Sequence, residues 1–169
     1  MIWLTKFVVR SLELAAERLP SRRPKHLLTG KRGEVEAYFH LRALGYKIIA
    51  ANFRVPYNRG EIDLIGWDNG VLCFIEVKTR TGADFAPPST AVDLEKKKHI
   101  RSVARQYVRR LPGNMPPPCR FDIVSVVLGA DGSKPDINVH KGAFSWNAGG
   151  LRRFWPRDFR DRRFWRRTR

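Results

Sequence analysis

The chain has almost no cysteine: Cys73 and Cys119 are the only two among its 169 residues. Two thiols build no disulfide framework, and their spacing is not that of a zinc site. Long apolar runs are missing as well. No stretch is long enough to span a bilayer, and the first residues lack the uninterrupted apolar centre and small-residue cleavage site of a signal peptide. With Cys73 reading as a small core residue, a reducing cytoplasm is the expected location. No internal repeat is visible. Acidic residues are scarce, 16 Asp+Glu against 33 Lys+Arg, which leaves a net charge of +17.

That surplus points to a polyanionic partner, nucleic acid first and an acidic membrane surface second. Its distribution is uneven. Residues 152–169 hold nine Arg and two Asp, a net +7, interleaved with Phe154, Trp155, Phe159, Phe164 and Trp165. Arginine neutralises phosphate and aromatic rings stack on unpaired bases, so this tail suits nucleic acid. It also suits a membrane interface or a ribosome-associated segment. Residues 1–26 carry +4, and the remaining +6 sits in the body.

Three parts follow from these shifts in composition: an N-terminal helix and basic linker over 1–29, a domain over 30–145, and an Arg/Trp-rich tail over 146–169. Apolar periodicity predicts a helix over 2–19, a linker over 21–29, and a helix over 33–43 that stops at Gly45. Strands are expected at 46–54, 61–67 and 71–79. The Asp68-Asn69-Gly70 run between the last two is a hairpin signal. After a Gly/Pro loop over 81–89, a helix is expected over 90–110 and a continuous apolar strand, buried on both faces, over 120–128. A short strand at 137–140 is expected to follow. The fold class is therefore α/β, with an αβββαβ core and a mixed sheet flanked by helices.

Chemistry concentrates in two segments, Gly60-Glu61-Ile62-Asp63-Leu64-Ile65 and Phe74-Ile75-Glu76-Val77-Lys78. A strand alternates its side chains, so Glu61 and Asp63 should leave one face, as should Glu76 and Lys78. Paired strands would then bring three carboxylates and an ammonium onto one patch. Crowded carboxylates repel unless a cation sits among them, and a hard cation such as Mg²⁺ takes oxygen ligands. This outlines a metal-dependent phosphodiester site. Taken alone, Glu76 and Lys78 would make only a surface ion pair, but their apolar flanks argue for burial.

These motifs resemble the bacterial YraN-like family of predicted endonucleases, within the PD-(D/E)XK (restriction-endonuclease-like) superfamily. The matching residues are Gly33-Glu34 with Ala37, Gly45-Tyr46, Asn52-Phe53-Arg54, the two segments above continued through Thr79-Arg80, Ala91-Val92, Lys96, Arg120-Phe121-Asp122 and Ala143-Phe144. Ile62 stands where the superfamily nominally has proline, which removes no ligand. The resemblance implies Asp63 and Glu76 as metal ligands that also act in catalysis, Lys78 as the catalytic lysine, and Glu34 as an additional acid at the metal. It implies the Val77 carbonyl as a further ligand and Mg²⁺ as cofactor, with Mn²⁺ as substitute.

Arg54, Arg80 and Lys96 are the expected nucleic-acid contacts, with Asn52 a further phosphate-contact candidate. Glu61 is a secondary candidate that would otherwise fix the turn or bind Arg59. Glu36 is expected on a solvated face, and Asp122 as the structural partner of an arginine. His26, His40, His99 and His140 form no cluster. The implied activity is endonucleolytic hydrolysis of DNA. Analogy with archaeal Holliday-junction resolvases suggests branched DNA and a homodimer. The alternatives are a non-catalytic nucleic-acid-binding protein and an RNA-directed nuclease, with membrane association a weaker one.

Overall fold

In the computed structural model, residues 25–81, 94–112, 116–129 and 133–146 are described. Along the chain they form α1 (Lys25–Ala43), β1 (Lys47–Arg54), β2 (Glu61–Asp68), β3 (Val71–Thr81), α2 (Leu94–Val108), β4 (Cys119–Leu128) and β5 (Asp136–Phe144). The αβββαβ order is as expected, with β5 longer than the short strand foreseen. The expected helix over 2–19, the tail over 147–169, most of the 81–89 loop, and Ala91 and Val92 lie outside the described residues.

Local chemistry explains the joints. Asn69 and Gly70 both take left-handed backbone angles, φ 48° and 80°. This is the geometry of a two-residue hairpin turn whose twist matches its strands, and it sets Asp68 opposite Val71. α1 ends where the Tyr46 amide donates to the Leu41 carbonyl and the Gly45 amide to Arg42, at 3.0 and 3.2 Å. That pattern satisfies the last free carbonyls of a helix. The helix begins at Lys25, not at 33. Gly30, the expected opening of the domain, lies inside it, because one glycine costs a helix only about 1 kcal/mol.

The strands lie in the order β1-β2-β3-β4-β5. β3 and β4 run parallel, joined through α2, and every other pair is antiparallel. One helix covers each face. On the α2 side, Ile62, Ile65, Leu72, Phe74, Phe121 and Ile123 pack with Ile100, Val103 and Ala104. On the α1 side, Leu64, Cys73, Ile75, Val77, Val124 and Val126 pack with Ala37 and Leu41. β4 is thus buried on both faces, as its unbroken apolar run requires. Trp146 sets its ring edge-on to Phe74 and Phe121, with centroids 6.2 and 4.5 Å apart. Cys73 and Cys119 are buried and free. Among the described residues, no helix is long and apolar enough to cross a membrane.

Charge is buried at the hairpin end of the sheet. Asp122, 0% exposed, receives Nε of Arg120 on both oxygens at 2.9 and 3.0 Å, and the Gly142 amide at 2.9 Å. Arg120 Nη2 donates to the Tyr46 hydroxyl at 2.8 Å and to Asp68 at 2.5 Å. Lys141 Nζ reaches the same Asp68 oxygen at 2.8 Å. Asp122 is therefore an arginine's structural partner, as expected.

Removing one member of such a cluster strands its partner's charge, which costs about 3–5 kcal/mol. Arg120→Met is expected to lose that much in urea denaturation. Burial pushes the Asp68 carboxyl up, but hydrogen bonds from Lys141 and Arg120 outweigh it and hold it below its ordinary 3.8. The folded value lies below the unfolded one, so this contribution is complete above that ordinary value and fades as pH falls through the lower one. Melting temperatures followed from pH 6 to about pH 2 should show this acid-side loss, and Lys141→Met should flatten it.

Candidate active site

β2 and β3 pair from Asp68↔Val71 only as far as Leu64↔Ile75. At the next position the strands part, and a side chain takes over the ladder. Asp63 Oδ2 accepts the Val77 amide at 2.7 Å, a bond that a backbone carbonyl would otherwise receive. Asp63 is 6% exposed and Glu76 is 3% exposed, so two carboxylates lie buried in one neighbourhood. Burial first, and the Glu76 charge second, push the Asp63 carboxyl up to about 7, against the lowering effect of the Val77 amide and Lys96.

Glu76 has its own cations. Its Oε1 is 3.0 Å from Lys78 Nζ, two residues along β3 on the same face, and 3.2 Å from Lys96 Nζ on α2. Its Oε2 is buried with no hydrogen-bond partner among the described residues. Burial pulls the Lys96 ammonium down, but Glu76 and Asp63 more than offset this, and the net shift is upward. One carboxylate oxygen is thus held by two ammonium groups while the other faces no donor.

Glu34 approaches from α1. Burial raises its carboxyl, the charges of Glu61 and Glu76 raise it further, and an Asn52 side-chain hydrogen bond and Lys31 lower it without reversing the shift. Two backbone features allow the approach. A Cβ on Gly33 would lie 1.8 Å from Thr79 Oγ1, so only glycine lets α1 press this closely on β3. Asn52 sits in β1 with φ 51°, a left-handed angle that asparagine tolerates better than most residues. Its bond to Glu34 escaped the sequence reading; the only signal was a polar, left-hand-tolerant residue inside an otherwise strand-forming run.

The other expected site residues are dispersed around this centre. Glu61 shares two charged neighbours with Asp63, Glu34 on α1 and Lys96 on α2. Ile62 packs in the same cluster as Ile65 and Trp67, so alternation breaks where β2 leaves β3. Glu61 also binds Arg54, its partner across β1, through Nε at 2.7 Å and through Nη2. The partner is Arg54, not Arg59. Arg80 is half-buried near the end of β3, two positions beyond Lys78. Glu36, expected on a solvated face, is 4% exposed. It lies one position before Ala37, on the side of α1 that the Gly33 contact draws against the sheet. His99 and His140 are far apart in the chain and join no cluster.

Among the described residues, no group of three or more His, Cys, Asp and Glu side chains is gathered closely enough to hold a metal ion. What the centre has is a pair of buried carboxylates, one of whose oxygens has no partner among the described residues. Hard oxygen donors of this kind fit Mg²⁺ or Mn²⁺, so the donor chemistry suits a divalent cation.

A mixed sheet in αβββαβ order, helices on both faces and an acidic pair where β2 and β3 part define a restriction-endonuclease-like α/β core. The chain belongs to the uncharacterised protein family UPF0102, the YraN family, whose model matches residues 33–126. It is 54% identical over 121 residues to a UPF0102 protein of Koribacter versatilis, covering 72% of this chain and 82% of the relative. It is 47% identical over 131 residues to one of Solibacter usitatus, covering 77% and 95%. A UPF0102 protein of Symbiobacterium thermophilum is 50% identical over 103 residues, covering 61% and 85%.

The contact at Gly33 gives this end of the fold its own test. Gly33→Ala is expected to push α1 off β3 and lower stability by about 1–3 kcal/mol. Adding Thr79→Gly, which removes all three crowding atoms, should recover part of that loss in a double-mutant cycle of denaturation midpoints. Full additivity of the two changes would show that the contact is not the cause.

Proposed function

We propose that this chain is a metal-dependent endonuclease that hydrolyses phosphodiester bonds in nucleic acid, DNA before RNA. The observation that carries the reading is the buried Asp63–Glu76 pair, clamped by Lys78 and Lys96 on one oxygen and open on another. A protein that only bound a polyanion would gain nothing from burying negative charge there, since like charges repel.

Asp63 and Glu76 would hold Mg²⁺ or Mn²⁺, with the Val77 amide fixing the orientation of the Asp63 carboxylate. When bound, the ion would supply a polarised phosphate oxygen and a more acidic water. The rest falls to the chain's own groups. Lys78 is half-buried with its ammonium at the rim of the pair, where it would orient a water or neutralise charge growing on the phosphate. Lys96 would do the same from α2, anchoring the strand being cut. Asn52 would hold Glu34 toward the same centre. Arg54 and Arg80 would contact neighbouring phosphates by charge, without reading sequence.

The test is cleavage of end-labelled single-stranded, duplex, flap and four-way-junction DNA, with structured RNA alongside, in Mg²⁺, Mn²⁺ or chelator. Asp63→Asn and Glu76→Gln should each remove cleavage, and Lys78→Met should slow it by about 10²–10⁴-fold. Calorimetry should show Mn²⁺ binding weakened by the two carboxylate changes and not by Lys78→Met. Binding in chelator should survive and fall steeply with salt. Cleavage that persists in chelator or in Asp63→Asn would sink the proposal. Wild type that binds tightly, takes up no Mn²⁺ and cuts nothing would leave a binding protein.

A further inference from the structure

The six residues between β1 and β2 form a turn with one conspicuous member. Tyr57 is fully exposed, and its φ of 62° is left-handed, a conformation that a bulky aromatic residue rarely adopts and that strains the backbone. Left-handed turn positions ordinarily take Gly, Asn or Asp. Here the ring is neither buried nor easy to hold.

Everything around it is fastened. The Asn58 amide donates to the Val55 carbonyl at 3.1 Å, and Asn58 Oδ1 accepts the Gly60 amide at 3.0 Å. Asn58 Nδ2 donates to Ser102 Oγ of α2 at 3.0 Å. Gly60 is held so closely on α2 that a Cβ there would lie 2.9 Å from Val103 and 3.0 Å from His99. The turn is thus locked to the helix while Tyr57 projects from it. Arg54 and Arg59 on either side are exposed cations.

The seat of the turn is close to the carboxylate pair. Lys96, which touches Glu76, and Ser102, which touches Asn58, lie on the same helix six residues apart. At 1.5 Å per residue that is roughly 9 Å along α2, the length of two or three stacked nucleotides at about 3.4 Å each. An exposed ring on a rigid support, flanked by cations, is the arrangement that stacks on unpaired bases. A continuous duplex, with its bases stacked on one another, offers no face to it.

We propose that Tyr57 is a base-stacking finger that selects polynucleotides with an unpaired nucleotide within a few positions of the bond to be cut. This rests on the reading of the chain as a protein acting on nucleic acid, and it narrows the substrate class to gapped, single-stranded or junction-containing strands. The strained backbone is the cost of holding the ring out.

The experiment measures binding in chelator, so that no cleavage intervenes. The probes are a continuous DNA duplex, the same duplex with a short gap carrying 2-aminopurine, and a single-stranded RNA. Wild type should favour the gapped over the continuous duplex, with a change in 2-aminopurine fluorescence that reports stacking. Tyr57→Ala should weaken gapped and single-stranded binding about ten-fold, abolish the fluorescence change and leave duplex binding alone. Tyr57→Trp should restore all three. Tyr57→Gly should show the same loss together with a higher melting temperature, because glycine relaxes the left-handed backbone.

Equal affinity of Tyr57→Ala and wild type for the gapped probe would overturn the proposal, as would an equal loss on gapped and continuous DNA. A change in sedimentation on Tyr57→Ala with binding unaltered would overturn it too, and would place the ring between copies of the chain. Wild type that binds none of the probes would defeat the nucleic-acid reading itself. Wild type that binds with the expected preference and cuts nothing in Mg²⁺ would defeat only the nuclease reading.

Discussion

Two buried carboxylates repel each other, and the arrangement at one end of this sheet follows from that repulsion. Asp63 and Glu76 are both nearly inaccessible, so neither is screened by water. The chain relieves part of the strain with one amide on Asp63 and two ammonium groups on one oxygen of Glu76. It does not relieve all of it. Burial first, and the neighbouring carboxylate charge second, push the Asp63 carboxyl up to about 7 and raise Glu34, entering from α1, as well. The apolar packing on both faces of β3 is what holds such a group of charges in place, because neither strand can withdraw without opening a core.

The opposite end of the same strands supplies the contrast. Asp68 and Asp122 are also buried carboxylates, yet Arg120, Lys141, Tyr46 and the Gly142 amide meet them almost completely. There the net effect on Asp68 is a lowered carboxyl, the signature of a structural cluster with its charges matched. Two acidic groupings on one sheet thus differ: one is matched by its partners, and the other keeps a buried Glu76 oxygen without a donor among the described residues. Proximity of carboxylates alone would not distinguish them; the balance of partners does.

Much of this was legible in the sequence because it is local. The Asp68-Asn69-Gly70 turn, the Glu76–Lys78 alternation and the buried run of β4 depend only on turn chemistry and a period of two. What escaped depends on contacts between elements. The ion pair of Glu61 with Arg54 depends on how β1 pairs with β2, which no pattern within β2 records. Glu36 reads as an ordinary helical acid until Gly33 is known to lie against Thr79. The helix reaches back to Lys25 despite Gly30, since a single glycine is a weak stop. The left-handed angles at Asn52 and Tyr57 likewise belong to the path of the chain and not to the residues that occupy it.

Under the proposed function an acidic centre would receive a polyanion, and the distribution of cations bears on that conflict of like charges. Attraction at long range needs only net charge, and the chain has +17. At close range the phosphate would meet the carboxylate pair, so the cations must stand nearer to the approaching strand than the carboxylates do. The geometry satisfies this: Lys78 and Lys96 are each far more exposed than the Glu76 they share, and Arg54 is more exposed than its partner Glu61. Glu76 and Glu61 are thus each covered by a base more exposed than themselves. Such a layering presents positive charge outward and would keep negative charge in reserve for the proposed metal ion. Two lysines gathered on a single oxygen of Glu76 leave its other oxygen without a donor among the described residues, and on the proposed reading it is this asymmetry, more than the number of acids, that would give a metal room.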